Sequence, residues 1–171
     1  MSPSALPSIP LLSGCSLLCL FILLGAAVYF DLRFRRIPNG LSLMAAVAAV
    51  PYWIGVSGHA MPASIGQQFL ILLIAAAPLL LLFAVGALGG GDIKLLGAVL
   101  LWIPAGDVLE MVATIILAGG VVAVGAVAHA LWRRRNWSDA TVPFGVAIAA
   151  GAMPALAGDF VVALKALGAL G

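Results

Sequence analysis

Two aspartates, Asp31 and Asp92, stand where an acid needs a reason. Asp31 closes a long apolar run, and Asp92 opens another directly after Gly89-Gly90-Gly91. Acids in or beside membrane spans are costly and tend to be functional. Paired carboxylates can hydrolyse a peptide bond without a covalent intermediate. The ionised acid takes a proton from water, while the protonated one polarises the scissile carbonyl. Close like charges push one of the two pKa values up, so the pair holds a single proton. The titration belongs to the pair, and the sequence leaves open which acid carries that proton. Each acid also has an ordinary use, as a helix cap or an interfacial charge. That use suits Asp92, ahead of a helix. It suits Asp31 poorly, because the macrodipole disfavours an anion after a helix.

The residues around Asp92 extend the pattern. Three glycines let the backbone turn freely and let a substrate backbone approach closely. Neither the Walker spacing nor a preceding strand accompanies them, so a phosphate-binding loop is excluded. Lys94 has two readings: it biases the aspartates toward the ionised form, or it anchors its helix at the lipid headgroups. The anchor is the simpler of the two.

Composition says what must position these acids. Of the 171 residues, 64% are apolar and only 8% charged, against about 25% charged in an ordinary soluble domain. Mean hydropathy is +1.24. The apolar runs are long and continuous, without the alternation of a barrel strand, so they must be helices. The expectation is an all-α, polytopic membrane protein, a bundle of about six transmembrane helices forming one domain over residues 1–171.

The spans are expected at about Leu11–Phe30, Leu41–Val56, Phe69–Ala87, Ile93–Ile103, Val108–Trp132, and after Pro143, the last with a break near Pro154 to Asp159. No basic residue precedes the first, so it reads as a retained span and not as a cleaved signal. The fourth, eleven residues up to Pro104, covers only about half the hydrocarbon thickness. With the N-terminus outside, Arg33, Arg35, Arg36, Lys94 and Arg133-Arg134-Arg135 fall on the cytoplasmic side, as the positive-inside rule requires. Asp31 and Asp92 share that side.

Two segments then resemble a known family, the aspartic type IV prepilin peptidases of the Gly-x-Gly-Asp class. Asp31-Leu-Arg-Phe-Arg-Arg-Ile-Pro-Asn39 is similar to the family's first-aspartate segment. Gly89-Gly90-Gly91-Asp92-Ile93-Lys94-Leu95 is similar to its second. Pro143-Phe144-Gly145-Val146-Ala147 is a weaker, third echo. The resemblance implies Asp31 and Asp92 as the catalytic pair, supported by Asn39, Gly89, Gly91 and Lys94. It implies a bacterial inner-membrane endopeptidase that removes leaders from pilin-like precursors at the cytoplasmic face, beside pilus assembly or secretion machinery. Longer members carry a domain with paired CxxC motifs and methylate the new N-terminus. This chain lacks those motifs and looks like the short Flp or Tad form.

The remaining polar residues have plainer readings. Cys15 and Cys19 share a helix face but cannot complete a metal shell, and neither a metal nor a cofactor is expected. The arginine run reads as a topology signal in contact with lipid headgroups, not a nucleic-acid surface. His129 reads as packing near a membrane interface, and His59 lies in an outer loop. Trp53, Trp102, Trp132 and Trp137 read as interface anchors. A small transporter or proton-relay subunit using Asp31 and Asp92 is the alternative, and a non-enzymatic assembly factor a third. Neither requires a glycine turn ahead of its acid.

Overall fold

A computed structural model describes residues 9–56, 70, 73–74, 77, 80–81, 83–84, 89–104, 106–132 and 143–168. The elements they form are α1 (Pro10–Phe34), α2 (Asn39–Val56), α3 (Gly90–Leu100), α4 (Val108–Trp132) and α5 (Phe144–Gly168). The described residues 70, 73–74, 77, 80–81 and 83–84 are also helical. The architecture is all-α and polytopic.

Among the described residues, four helices are long and apolar enough to cross a membrane: Pro10–Phe34, Asn39–Val56, Val108–Trp132 and Phe144–Ala166. They correspond to four of the six expected spans. The expected third span, Phe69–Ala87, lies largely outside the described residues. The expected fourth is α3, with 11 residues. At about 1.5 Å per residue it reaches roughly 16 Å, half of a bilayer core. It stops because the chain turns at Leu101 and Trp102, and Pro104 has no N–H to carry a helix onward.

The first span is longer than expected. Pro10 occupies the first helical position, where a missing N–H costs nothing. The helix then continues through Asp31 to Phe34, so Asp31 sits inside its last turn and not beyond it. Arg35 ends it in the left-handed region, φ 54°, donating its N–H to the Asp31 carbonyl at 2.9 Å. Pro38 disfavours a helical Ile37 before it, which separates α1 from α2. The break allowed near Pro154 is absent, and α5 runs through that proline.

Helices in lipid gain little from burying apolar surface against one another, so close approach matters more. α1 packs along α2 and α5, α4 along α5, and α3 touches α2 and α5. Glycine permits the tightest of these crossings. A Cβ on Gly55 would lie 2.5 Å from the Ser13 nitrogen, and one on Gly151 2.5 Å from Ile115 Cγ1.

The end of α3 is closed by tryptophans. Trp102 is fully buried, stacks on Tyr52 with centroids 5.1 Å apart, and donates its indole N–H to the Ala45 carbonyl at 2.9 Å. Trp53 donates to the Leu101 carbonyl at 2.7 Å, one of the acceptors a helix end leaves open. The interface-anchor reading is thus overturned for Trp102, whose ring and N–H both find partners inside the bundle. Trp132, 84% exposed, keeps the position an anchor requires. Trp137, His59 and Arg133-Arg134-Arg135 lie outside the described residues.

Trp102→Ala should destabilise the protein by about 3 kcal/mol or more, through lost packing and an abandoned carbonyl. Trp132→Ala should stay within about 0.5 kcal/mol. Unfolding midpoints in detergent, compared between the two variants, check this.

Candidate active site

Asp31 reaches the site from the last turn of α1 and is buried. Its Oδ2 accepts a hydrogen bond from the Gly145 N–H at 2.8 Å. Gly145 is the second residue of α5. Its N–H is one of the four that a helix cannot satisfy internally, at the end where the macrodipole is positive. Such an end is a ready-made anion site, and the carboxylate occupies it.

Asp92 reaches the site from the first turn of α3 and is half-buried. It accepts the Gly89 N–H at 3.2 Å. Gly89 has no side chain to return the bond, so only half of a reciprocal capping pair exists here. α3 is not among the four spanning helices, and Asp92 precedes its apolar run. Burial, and then the charge of Asp31, push the Asp92 carboxyl up to about 6, against the opposing pull of the Gly89 N–H. Asp31 is thus near enough for its charge to be felt at Asp92.

Glycines set how closely the pieces approach. A Cβ on Gly145 would stand 3.0 Å from Asp31 Oδ2 and 3.2 Å from Ile37 Cδ1. One on Gly91 would stand 3.2 Å from the Ile37 carbonyl oxygen, and one on Gly89 2.9 Å from Asp92 Oδ2. The buried Ile37 is therefore a wedge against which the starts of α3 and α5 are both seated. On the exposed side, Lys94 Nζ donates to Asn39 Oδ1 at 3.0 Å. The two supporting polar residues thus tie the start of α3 to the start of α2.

All six residues singled out in the sequence fall in this region. Asp31, Asp92, Gly89 and Gly91 surround the carboxylates or hold their approach, while Asn39 and Lys94 form a neighbouring brace. Gly145 was not among them. It was named only within the weaker third family-like segment, Pro143 to Ala147, and nothing local showed that its N–H would meet an acid 114 positions away. Among the described residues, no three of His, Cys, Asp or Glu gather closely enough to hold a metal ion.

Residues 18–124 match the type IV leader peptidase family. The chain belongs to that family. The match spans well over half of the sequence and includes both aspartates, Asn39, the glycines and Lys94. It stops short of Gly145. No curated protein and no solved structure matches the chain. Membership makes this a membrane aspartic peptidase acting on prepilin-type substrates, a chemistry that two carboxylates sharing one proton can perform.

The electrostatics give a pH dependence. If peptide hydrolysis needs the Asp92 proton, kcat/KM must fall as that proton is lost. The sign follows from the raised value: the active form lies below it. Leader cleavage should decline above about pH 6, approaching about tenfold per pH unit. A kcat/KM profile in liposomes, level or rising through that region, would contradict it.

Gly145 gives a second expectation. Gly145→Ala forces Asp31 or Ile37 aside by a few tenths of an ångström, and Gly145→Val forces more. Cleavage should drop about tenfold in the first and about a hundredfold or more in the second, as misplacement of a reacting group costs. Rates should be read beside melting curves, with Gly145→Ala folding close to wild type.

Proposed function

We propose that Asp31 and Asp92 form the catalytic dyad of a leader peptidase, with Asp31 ionised and Asp92 protonated. The observation that carries this reading is the contrast between their environments. Asp31 faces a backbone N–H at a helix N-terminus, whereas Asp92 is half-buried within range of the Asp31 charge. In the first step, Asp31 takes a proton from water as the oxygen attacks the scissile carbonyl. Asp92 gives its proton to the carbonyl oxygen, forming a neutral tetrahedral diol. Collapse then returns a hydroxyl proton to Asp92, and Asp31 hands its proton to the departing amine. Each acid ends as it began.

The substrate is a type IV pilin-like precursor of the Flp or Tad kind, cut between a short basic leader and an apolar helix. A site at the ends of membrane helices suits such a bond, since the helix must leave lipid where the leader begins. The exposed Arg33, Arg35, Arg36 and Lys94 flank this end of the molecule, and the positive-inside rule assigns it to the cytoplasmic face of a bacterial inner membrane. Pilus assembly or secretion machinery is the partner that would receive the processed product. The whole chain acts as one integral-membrane unit in this reading.

Asp31→Asn keeps an oxygen for the Gly145 N–H but cannot accept the water's proton. Asp92→Asn keeps its shape but has no acidic proton to give. Each should lower leader cleavage about a thousandfold or more, measured by gel shift of a precursor in liposomes, with melting near wild type. Full cleavage in either variant would remove that acid from the mechanism. Ion flux without cleavage would turn the reading to a proton relay.

A further inference from the structure

A half-open groove of about 260 Å³ lies between α3, α4 and α5, and Asp92 is part of its wall. Ile93 and Leu96 of α3 and Phe144 and Ile148 of α5 line it with apolar surface. Its α4 side is built from Ile115, Ile116, Gly119, Gly120 and Ala123, a stripe at helical spacing. That stripe extends eight positions, about 12 Å or two turns. Among the described residues of this lining, Asp92 carries the one charge.

We propose that this groove seats the apolar helix of the precursor, with the scissile bond presented to Asp92. The inference rests on the leader-peptidase reading above. The commitment to this occupant comes from continuity with the proposed dyad. A lipid chain or a second copy of α4 would find apolar walls here but would have no use for a half-buried carboxyl among them. A peptidase substrate with an apolar helix beside its cleavage point needs both.

Size sets how the helix sits. A whole helix is about 10 Å across, too wide for the groove to swallow. It lies along the mouth and sends the side chains of one face inward, where small residues on α4 permit close approach. Gly119 is already in contact with α5, its Cβ position 3.6 Å from Ala147 Cβ. Gly120 is different. Among the described residues, a Cβ there would meet nothing within 4 Å, and the residue is exposed. The room at Gly120 is not used by any packing contact among the described residues.

This gives a variant that fills the groove without disturbing the bundle. Gly120→Leu places its side chain in open groove space and raises helix propensity. Gly125→Leu, on the same helix, is equally uncrowded but lies outside the groove lining, and serves as the control. With a full-length precursor in phospholipid liposomes, Gly120→Leu should lower kcat/KM for leader cleavage by about tenfold or more, while Gly125→Leu stays within about twofold. In a Cys15→Ser, Cys19→Ser background, G120C should form a disulfide with a single cysteine in the first turns of the precursor's helix. Unchanged cleavage by Gly120→Leu would overturn the proposal. So would cross-linking of G120C only to a second copy of the chain, or of a photoreactive cysteine label there only to lipid. The cross-link reads the groove even where no cleavage occurs. A wild-type enzyme that leaves the precursor uncut would therefore count against the dyad, not against the groove.

Discussion

The hydrogen bond from the Gly145 N–H to the Asp31 carboxylate decides where the first and last helices of this protein meet. A buried carboxylate without a partner costs several kcal/mol or neutralises itself. Asp31 is buried at the end of α1, and the N-terminus of α5 supplies what it needs at 2.8 Å. The need runs in both directions. The first N–H groups of α5 have no acceptor within their own helix, and a carboxylate is the strongest acceptor that a chain can offer. Once those two ends are joined, Ile37 is held between them, and the start of α3 is seated against Ile37 through Gly91. The second acid arrives by way of the support for the first.

A half-length helix is an awkward object in a membrane, because lipid offers nothing to the carbonyls at its end. The molecule meets that constraint with side chains from α2 and with local turns. The Trp102 and Ile103 N–H groups bond back to Val99 and Leu100, and Trp53 covers the Leu101 carbonyl. Trp102 then fills the space beneath, beside Tyr52. Tyr52 in turn donates its hydroxyl to Asp159 of α5 at 2.9 Å. A short α3 is useful only if its far end can stop inside the bundle. These tryptophans are what allow it to stop, and its near end is thereby free to carry Asp92 at the edge of the apolar layer.

Much of this was legible in the sequence, for physical reasons. Charge is so scarce in a chain this apolar that Asp31 and Asp92 announce themselves, and their flanking segments carry the family likeness. The half-length of α3 could be read from Pro104, since proline interrupts the backbone pattern wherever it lies. Other features depended on tertiary partners. Asp31 lies inside α1 because Arg35 accepts a left-handed conformation, which nothing in an Arg-Arg-Ile-Pro run announces. Trp102 has the composition of an interface anchor, and only the approach of α2 makes it a core residue. The six-helix expectation includes a stretch between 69 and 87 that lies largely outside the described residues, and among those described four helices are long enough to cross. Gly145 was legible only as part of the weaker third family-like segment, with no role attached to it. A glycine's reason for being there is the atom that comes close to it, and here that atom belongs to the opposite end of the chain.

The same glycine bears on how two identical side chains acquire different tasks. Nothing in the type of residue distinguishes Asp31 from Asp92, and their shared proton has no preferred home until the backbone around them is specified. The Asp92 carboxylate draws a hydrogen bond from within its own turn, at 3.2 Å, a contact that travels with α3 wherever that helix goes. Asp31 draws its bond from a different helix, at 2.8 Å, and from an end whose dipole favours negative charge. The proposed division, with the anion on Asp31 and the proton on Asp92, is therefore a property of helix arrangement and not of local sequence. On that proposal α5, which lies beyond the matched segment of residues 18–124, takes part in the site through the Gly145 N–H.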